Sequence, residues 1–67
     1  MVCYINNFPQ EFTENQPLSD LLAARGIIEP RGLAVAVNDA VVPSAEWPTH
    51  ALQPHDRITI IRATQGG

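Results

Sequence analysis

The feature that most limits this chain is its length of 67 residues combined with a single cysteine, Cys3. A domain of this size buries only about 60% of the surface that its unfolded form exposes. Cys3 has no partner for an internal disulfide, and no Cys-x-x-Cys pair or clustered Cys/His spacing suggests a zinc site. The sequence therefore predicts one domain over residues 1–67, held by hydrophobic packing and without a metal. A deep catalytic pocket is hard to build in such a domain, so we expect a docking or carrier role.

The charge and hydropathy of the sequence argue against nucleic acids and membranes as partners. The formal net charge of −3 disfavours phosphate backbones, so no nucleic-acid partner is expected. No apolar run approaches the roughly 20 residues of a membrane span, and the start of the chain lacks the basic and then apolar pattern of a signal peptide. We therefore expect a cytoplasmic protein without a membrane contact.

The first third of the chain predicts a hairpin. Val2 to Ile5 and Gln10 to Thr13 have the composition of short strands, and the residues Asn6-Asn7-Phe8-Pro9 between them form the expected turn. Asparagine tolerates the positive φ of a tight turn. Because Pro9 has no backbone N–H, it is expected at a strand start or on an edge.

A helix is predicted over residues 17–25. Leu18, Leu21 and Leu22 recur at i, i+3 and i+4 and form one apolar face. Pro17 suits the first turn, and Gly26 supplies a left-handed stop.

The second half of the chain predicts three strands. A loop over residues 27–32 leads into a strand from Leu33 to Val37, and a short strand at Val41-Val42 follows the turn that ends at Ala40. Residues 44–49 are expected to be irregular, and the Trp47 side chain is expected to pack in the core. The most regular strand, residues 57–62, precedes a C-terminal tail that is expected to be flexible over residues 62–67.

This order of elements predicts an α+β domain in which one main helix packs across a mixed sheet of four to five strands. Alternation in the strands places six side chains inward, against the leucine face of the helix. They are Cys3, Ile5, Val35, Val37, Ile58 and Ile60.

Three stretches of the sequence resemble the ubiquitin-like β-grasp proteins, and in particular the ThiS family, the sulfur carriers of thiamin biosynthesis. These are Leu18-Ser19-Asp20-Leu21-Leu22, Val35-Ala36-Val37-Asn38-Asp39-Ala40-Val41-Val42-Pro43 with Trp47 four residues on, and Asp56-Arg57-Ile58-Thr59-Ile60-Ile61-Arg62-Ala63-Thr64-Gln65-Gly66-Gly67. The resemblance covers nearly the whole chain. The Asn6-Asn7-Phe8-Pro9 turn departs from it, because the family usually has a glycine in the first turn.

The resemblance implies a carrier that catalyses nothing itself and binds no cofactor. An adenylating enzyme similar to ubiquitin-activating enzymes would use ATP to adenylate the carboxylate of Gly67. A sulfur donor such as a cysteine desulfurase persulfide would convert it to a thiocarboxylate, which passes sulfur to thiazole synthase. Thr64, Gln65 and Gly66 would enter the partners' active sites, where the absence of a Cβ at Gly66 and Gly67 suits a narrow tunnel.

A face for partner docking is predicted beside the tail. Tyr4 and Ile61 have the opposite parity from the expected core and are candidates for an apolar docking patch on the open face of the sheet. Arg62 is a candidate to pair with a partner carboxylate. Cys3 is expected to be buried and inert.

Other functions remain open at the level of sequence. The small subunit of molybdopterin synthase has the same tail chemistry with a different acceptor. A ubiquitin-like protein modifier and a binding module that carries no sulfur are further alternatives. An independent enzyme has the least support, because no acid, base and nucleophile converge in the sequence.

Overall fold

The computed structural model describes residues 1–62, which form a five-stranded mixed sheet with one α-helix. The strands are β1 (Val2–Ile5), β2 (Phe8–Glu11), β3 (Leu33–Val37), β4 (Ala40–Val41) and β5 (Arg57–Arg62), and the helix is α1 (Leu18–Ala24). The spatial order is β2-β1-β5-β3-β4, with β1 and β5 parallel and the other neighbouring pairs antiparallel. The predicted α+β architecture is confirmed.

The first hairpin is tighter than expected. Asn6 and Asn7 have φ values of 49° and 73°, and this left-handed pair closes the turn in two residues. β2 therefore starts at Phe8, and the expected second strand from Gln10 to Thr13 was placed two residues too late. Pro9 lies in β2 at the edge of the sheet, opposite Tyr4, as its missing N–H requires.

The helix is confirmed but is shorter at both ends than the predicted span of 17–25. Pro17 is extended, with ψ of 147°, because it forms an antiparallel bridge with Ala51. Arg25 leaves the helical region, and Gly26 follows with φ of +82°, the left-handed stop expected of a glycine.

The second half contains two differences from the expected structure. Asn38 and Asp39 form another two-residue left-handed turn, with φ of 52° and 71°, so β4 is Ala40–Val41 rather than Val41-Val42. The segment Ser44–Thr49, expected to be irregular, forms a 3-10 helix. The indole Nε1 of Trp47 donates a hydrogen bond to the Val42 carbonyl at 2.9 Å, which anchors this helix over the core.

The core lies between the sheet and the two helices. Of the six strand residues expected to face inward, all but Ile60 are buried, and Ile60 is half-buried against the cluster. All three helix leucines, Trp47, Phe12, Val42 and Leu52 complete the cluster. Arg62 belongs to β5, where it pairs with Leu33, so the predicted strand over residues 57–62 is confirmed, whereas the predicted tail started one residue too early. No helix within residues 1–62 is both long and apolar enough to cross a membrane.

Candidate functional site

The tail begins at the end of β5, the middle strand of the sheet. Five residue pairs join β5 to β3, the last of them between Arg62 and Leu33. The sheet therefore holds β5 up to its last residue, Arg62, which directly precedes the predicted tail. Gly67, Thr64, Gln65 and Gly66 lie outside the described residues, and their roles stay predictions.

A side chain extends the pairing on the other side of β5. The backbone pairing between β1 and β5 ends at Ile5 and Ile58. Beyond it, Oδ1 of Asn6 accepts a hydrogen bond from the Ile60 N–H at 2.9 Å, and Nδ2 of Asn6 donates to the Ile60 carbonyl at 3.4 Å. The Asn6 amide thus continues the ladder in place of a backbone, so close to its end β5 is held by Asn6 on one side and by β3 on the other.

The open face of the sheet, on the side away from α1, carries an apolar strip. Ile61 lies opposite Ala34, and Val41 lies opposite Ala36 on the neighbouring strands. Ile61 is 58% exposed and Val41 is 72% exposed. We refer to these four residues as the open-face strip. Large exposed apolar side chains grouped on one face are typical of a protein contact surface.

The three residues of the predicted docking face occupy different places. Tyr4 is half-buried on the open face, opposite Arg57 on β5. Ile61 shares that face four residues further along β5, which corresponds to about 13 Å. Arg62 pairs with Leu33 and so lies on the helix side of the sheet. The structure therefore does not bring Tyr4, Ile61 and Arg62 together, and their role in docking stays a prediction.

The docking face predicted from the sequence did not include Val41, which the structure places exposed on the open face. Its position follows from the turn at Asn38 and Asp39, since a two-residue turn sets Val41 opposite Ala36 and hence on the outer face. The asparagine-aspartate pair, interpreted as a two-residue turn, was the signal that would have placed it.

On the helix side of the sheet, the surface next to the end of β5 carries arginine side chains instead of an apolar strip. One depression is lined by Arg25, Arg62 and Ile27, and an adjoining one by Arg31, Arg62 and Ile27. All three arginine side chains are exposed. Sequence reasoning singled out only Arg62, because Arg25 and Arg31 come from the helix end and the following loop and meet it only in the fold.

The remaining chemically active groups give no catalytic arrangement within residues 1–62. Cys3 is fully buried, and burial, reinforced by the negative charge of Asp56, raises the pKa of its thiol. Three or more His, Cys, Asp or Glu side chains do not come together as a metal site in this part of the chain. A shallow apolar depression between α1 and the 3-10 helix, bordered by Ala23, Ile28 and Trp47, contains no pair of acid and base.

Comparisons with known proteins agree with one another. The model of the ThiS family matches residues 3–67. The crystal structure of a thiamine biosynthesis protein (ThiS) from Geobacter metallireducens superposes with a TM-score of 0.82 at 19% identity, covering 100% of both chains. An NMR solution structure of a thiamine biosynthesis protein from the same organism gives 0.76 at 19% identity, covering 100% of this chain and 88% of the other. No curated protein sequence gave a significant match.

Proposed function

This chain belongs to the ThiS family, and we propose that it is a sulfur carrier of thiamin biosynthesis whose Gly67 carboxylate is adenylated and then converted to a thiocarboxylate. The family match over residues 3–67 is the observation that carries the proposal. The chain is then a substrate for other proteins and not an enzyme, and it works in the cytoplasm.

The fold supports a carrier role because the strand that precedes the tail is held firmly in the sheet. β5 is held on both sides, by β3 up to Arg62 and by the Asn6 side chain at Ile60. Residues 63–67 therefore follow a strand end that is held in place, and five fully extended residues would span about 17 Å. That reach is long enough for a terminal carboxylate to enter a buried nucleotide site while the folded body stays outside. The proposal requires Gly67 to be the last residue of the mature chain.

The proposed chemistry proceeds in three steps. A carboxylate oxygen of Gly67 attacks the α-phosphorus of ATP and pyrophosphate leaves, which gives an acyl adenylate. The terminal sulfur of a persulfide then attacks the acyl carbon and AMP leaves. In the third step a thiol attacks the donor's sulfur in the resulting acyl disulfide, so that a new disulfide forms between thiol and donor and the thiocarboxylate leaves. The activating partner binds the ATP, and the carrier supplies only the acyl group.

The open-face strip is the proposed docking surface for the activating enzyme. A surface that admits the tail also meets the residues beside its root, and Ile61 is the nearest exposed apolar side chain on the open face. Ile61 and Val41 would bury apolar area on contact, since both are more than half exposed in the free domain. Thiazole synthase, the proposed acceptor, would receive the charged tail afterwards.

The direct test is the intact mass of the full chain after incubation with the adenylating enzyme of the same organism, ATP and a persulfide donor. We expect one oxygen to be replaced by one sulfur, and no change for a control chain that lacks Gly67. An unchanged mass for the full chain under conditions that charge a known carrier would contradict the proposal.

The acceptor is tested separately. We expect a strain lacking this chain to require thiamin, and to grow without it when the full chain is restored. A requirement for molybdenum cofactor instead would favour the molybdopterin alternative. Heavier lysine-linked conjugates on a denaturing gel would favour a protein modifier.

A further inference from the structure

Charge is distributed unevenly around the point where the tail begins. The two depressions at the end of β5 are lined by three of the chain's four arginines, Arg25, Arg31 and Arg62, and by one of its seven acidic residues, Glu29. The chain as a whole carries a formal charge of −3. The tail therefore leaves an acidic domain from a locally basic surface, and we refer to these three arginines as the basic collar.

The basic collar is not neutralised within the described part of the chain. The ion pairs among residues 1–62 are those of Arg57 with Asp39 and of the Met1 amino group with Glu11. Arg25 donates a hydrogen bond to the neutral Gln10 side chain at 3.3 Å. Among residues 1–62, therefore, these three exposed guanidinium groups form no ion pair with a carboxylate.

We infer that the basic collar docks on an acidic rim around the channel through which the adenylating enzyme receives the tail. The inference rests on the proposed function and adds to it the charge of the partner surface. Arg62 immediately precedes the tail and lines both depressions, so a protein that admits residues 63–67 must contact it. Guanidinium groups in such a contact pair well with carboxylates, often through two hydrogen bonds.

Two distances decide whether such a rim is compatible with an anionic tail. An acidic rim would repel the terminal carboxylate if the two were close. Five extended residues would place that carboxylate up to about 17 Å beyond Arg62, several times farther from the rim than the arginines in contact with it, and Coulomb interactions fall with distance. The rim thus attracts the collar strongly and affects the inserted carboxylate weakly.

The collar would also orient the carrier as it approaches the adenylating enzyme. An acidic partner repels a domain of net negative charge on average, but it attracts the end from which the tail leaves. Charge complementarity of this kind accelerates association and weakens as salt is added. The carrier would therefore approach the adenylating enzyme with its tail first.

The test uses the full chain and its adenylating enzyme, with pyrophosphate exchange as the measure of adenylation. Arg62→Glu and Arg57→Glu form a matched pair, because both reverse an exposed arginine on β5, at opposite ends of the strand. At low salt we expect Arg62→Glu to raise KM about tenfold with little change in kcat, and Arg57→Glu to change KM less than twofold. The difference should shrink in about 0.5 M salt.

A gain-of-function variant separates the effect of charge from damage to the fold. Glu29→Arg enlarges the collar, and we expect it to lower KM at low salt. Equal KM values for the two arginine variants, or a raised KM for Glu29→Arg, would overturn the inference while leaving the proposed function intact. If the unmodified chain is not adenylated at all, the proposed function itself fails.

Discussion

The carboxylate of Asp56 accepts a hydrogen bond from the side-chain amide of Asn38 at 2.9 Å, across 18 positions of the sequence. Asp56 is only 7% exposed, and its second oxygen accepts the Gln53 N–H at 2.9 Å. Oδ1 of the same Asn38 side chain in turn accepts a hydrogen bond from the Arg57 N–H at 2.9 Å. This network ties the turn between β3 and β4 to the first residue of β5, the strand that leads to the tail.

Asp56→Asn tests the network directly. An amide keeps the size of the carboxylate but replaces one acceptor oxygen with a donor, which then faces a donor from Gln53 or Asn38. We expect the free energy of unfolding to fall by about 1–3 kcal/mol, as for other buried hydrogen bonds left unmade. Urea denaturation followed by circular dichroism measures it.

Asp39→Asn is the matched control for Asp56→Asn. Asp39 contacts Arg57 only through an exposed ion pair at 3.5 Å, and such pairs contribute little. Asparagine also tolerates the positive φ at this position. We expect no measurable change in stability, and equal losses for the two variants would show that the buried network is not what stabilises the fold.

Asn6→Gly and Asn7→Gly separate the two roles of the first turn. Both residues have positive φ, which glycine adopts readily, but only Asn6 bonds to the Ile60 backbone. We expect Asn6→Gly to lower the free energy of unfolding by roughly 1 kcal/mol and Asn7→Gly to change it by less than about half of that. Faster hydrogen exchange at the Ile60 amide in Asn6→Gly alone would locate the effect.

The sequence was sufficient for the fold because its hydrophobic alternation and its helix stop are local signals. The inward side chains of β1, β3 and β5 followed from spacing, and the stop at Gly26 followed from the residue type. The errors in strand position occurred where two adjacent polar residues formed a whole turn, at Asn6-Asn7 and Asn38-Asp39, since a two-residue turn shifts the start of the next strand.

The candidate site was less accessible to sequence reasoning. Alternation places Ile61 on the open face, but only the register of β3 with its neighbours shows that Val41 lies on the same face, on the far side of β3. The basic collar gathers a helix end, a loop and a strand end, and no spacing in the sequence relates Arg25, Arg31 and Arg62. Residue type and parity give the members of a surface, whereas tertiary packing decides which of them are neighbours.

Trp47→Phe tests the anchor of the 3-10 helix. Phenylalanine keeps most of the buried apolar area but removes the Nε1 donor, which leaves the Val42 carbonyl without this bond. We expect a loss of about 1–3 kcal/mol in the free energy of unfolding, measured by far-ultraviolet circular dichroism because the chain has one tryptophan. Phe8→Leu, at an aromatic residue that is 71% exposed, should change stability little.

Because the thiol of Cys3 is buried, we expect the stability of the fold to depend on pH. Burial, together with the charge of Asp56, raises the pKa of its thiol above the ordinary value of 9.0. Above that value the unfolded chain loses this proton while the folded chain keeps it, so the free energy of unfolding should fall as pH rises. The stabilising contribution is fully present below pH 9.0 and disappears as pH passes through the raised pKa of the folded state.

The control for this pH dependence is Cys3→Ala. It should reduce stability at every pH by leaving a cavity, but the part of the alkaline decline that comes from the thiol should be absent. Parallel pH profiles for the two chains would contradict the argument. In the native chain the thiol should also react with a soluble disulfide reagent far more slowly than in urea.

The open-face strip gives the last prediction, on docking. Val41→Thr and Ile61→Thr replace exposed apolar groups with a hydroxyl while keeping the β-branched shape that suits strands. The double variant should fold with unchanged stability, because both side chains are largely exposed in the free domain. If the strip packs against the adenylating enzyme, the desolvated hydroxyls weaken the contact, and we expect KM for adenylation to rise about tenfold with kcat preserved.

Phe8→Thr makes the same kind of change at an exposed residue of the edge strand β2 and should leave KM unchanged. The rise should persist in high salt, unlike that of Arg62→Glu, since it comes from apolar contact and not from charge. An identical KM for the double variant and the unmodified chain would show that the activating enzyme does not use this face.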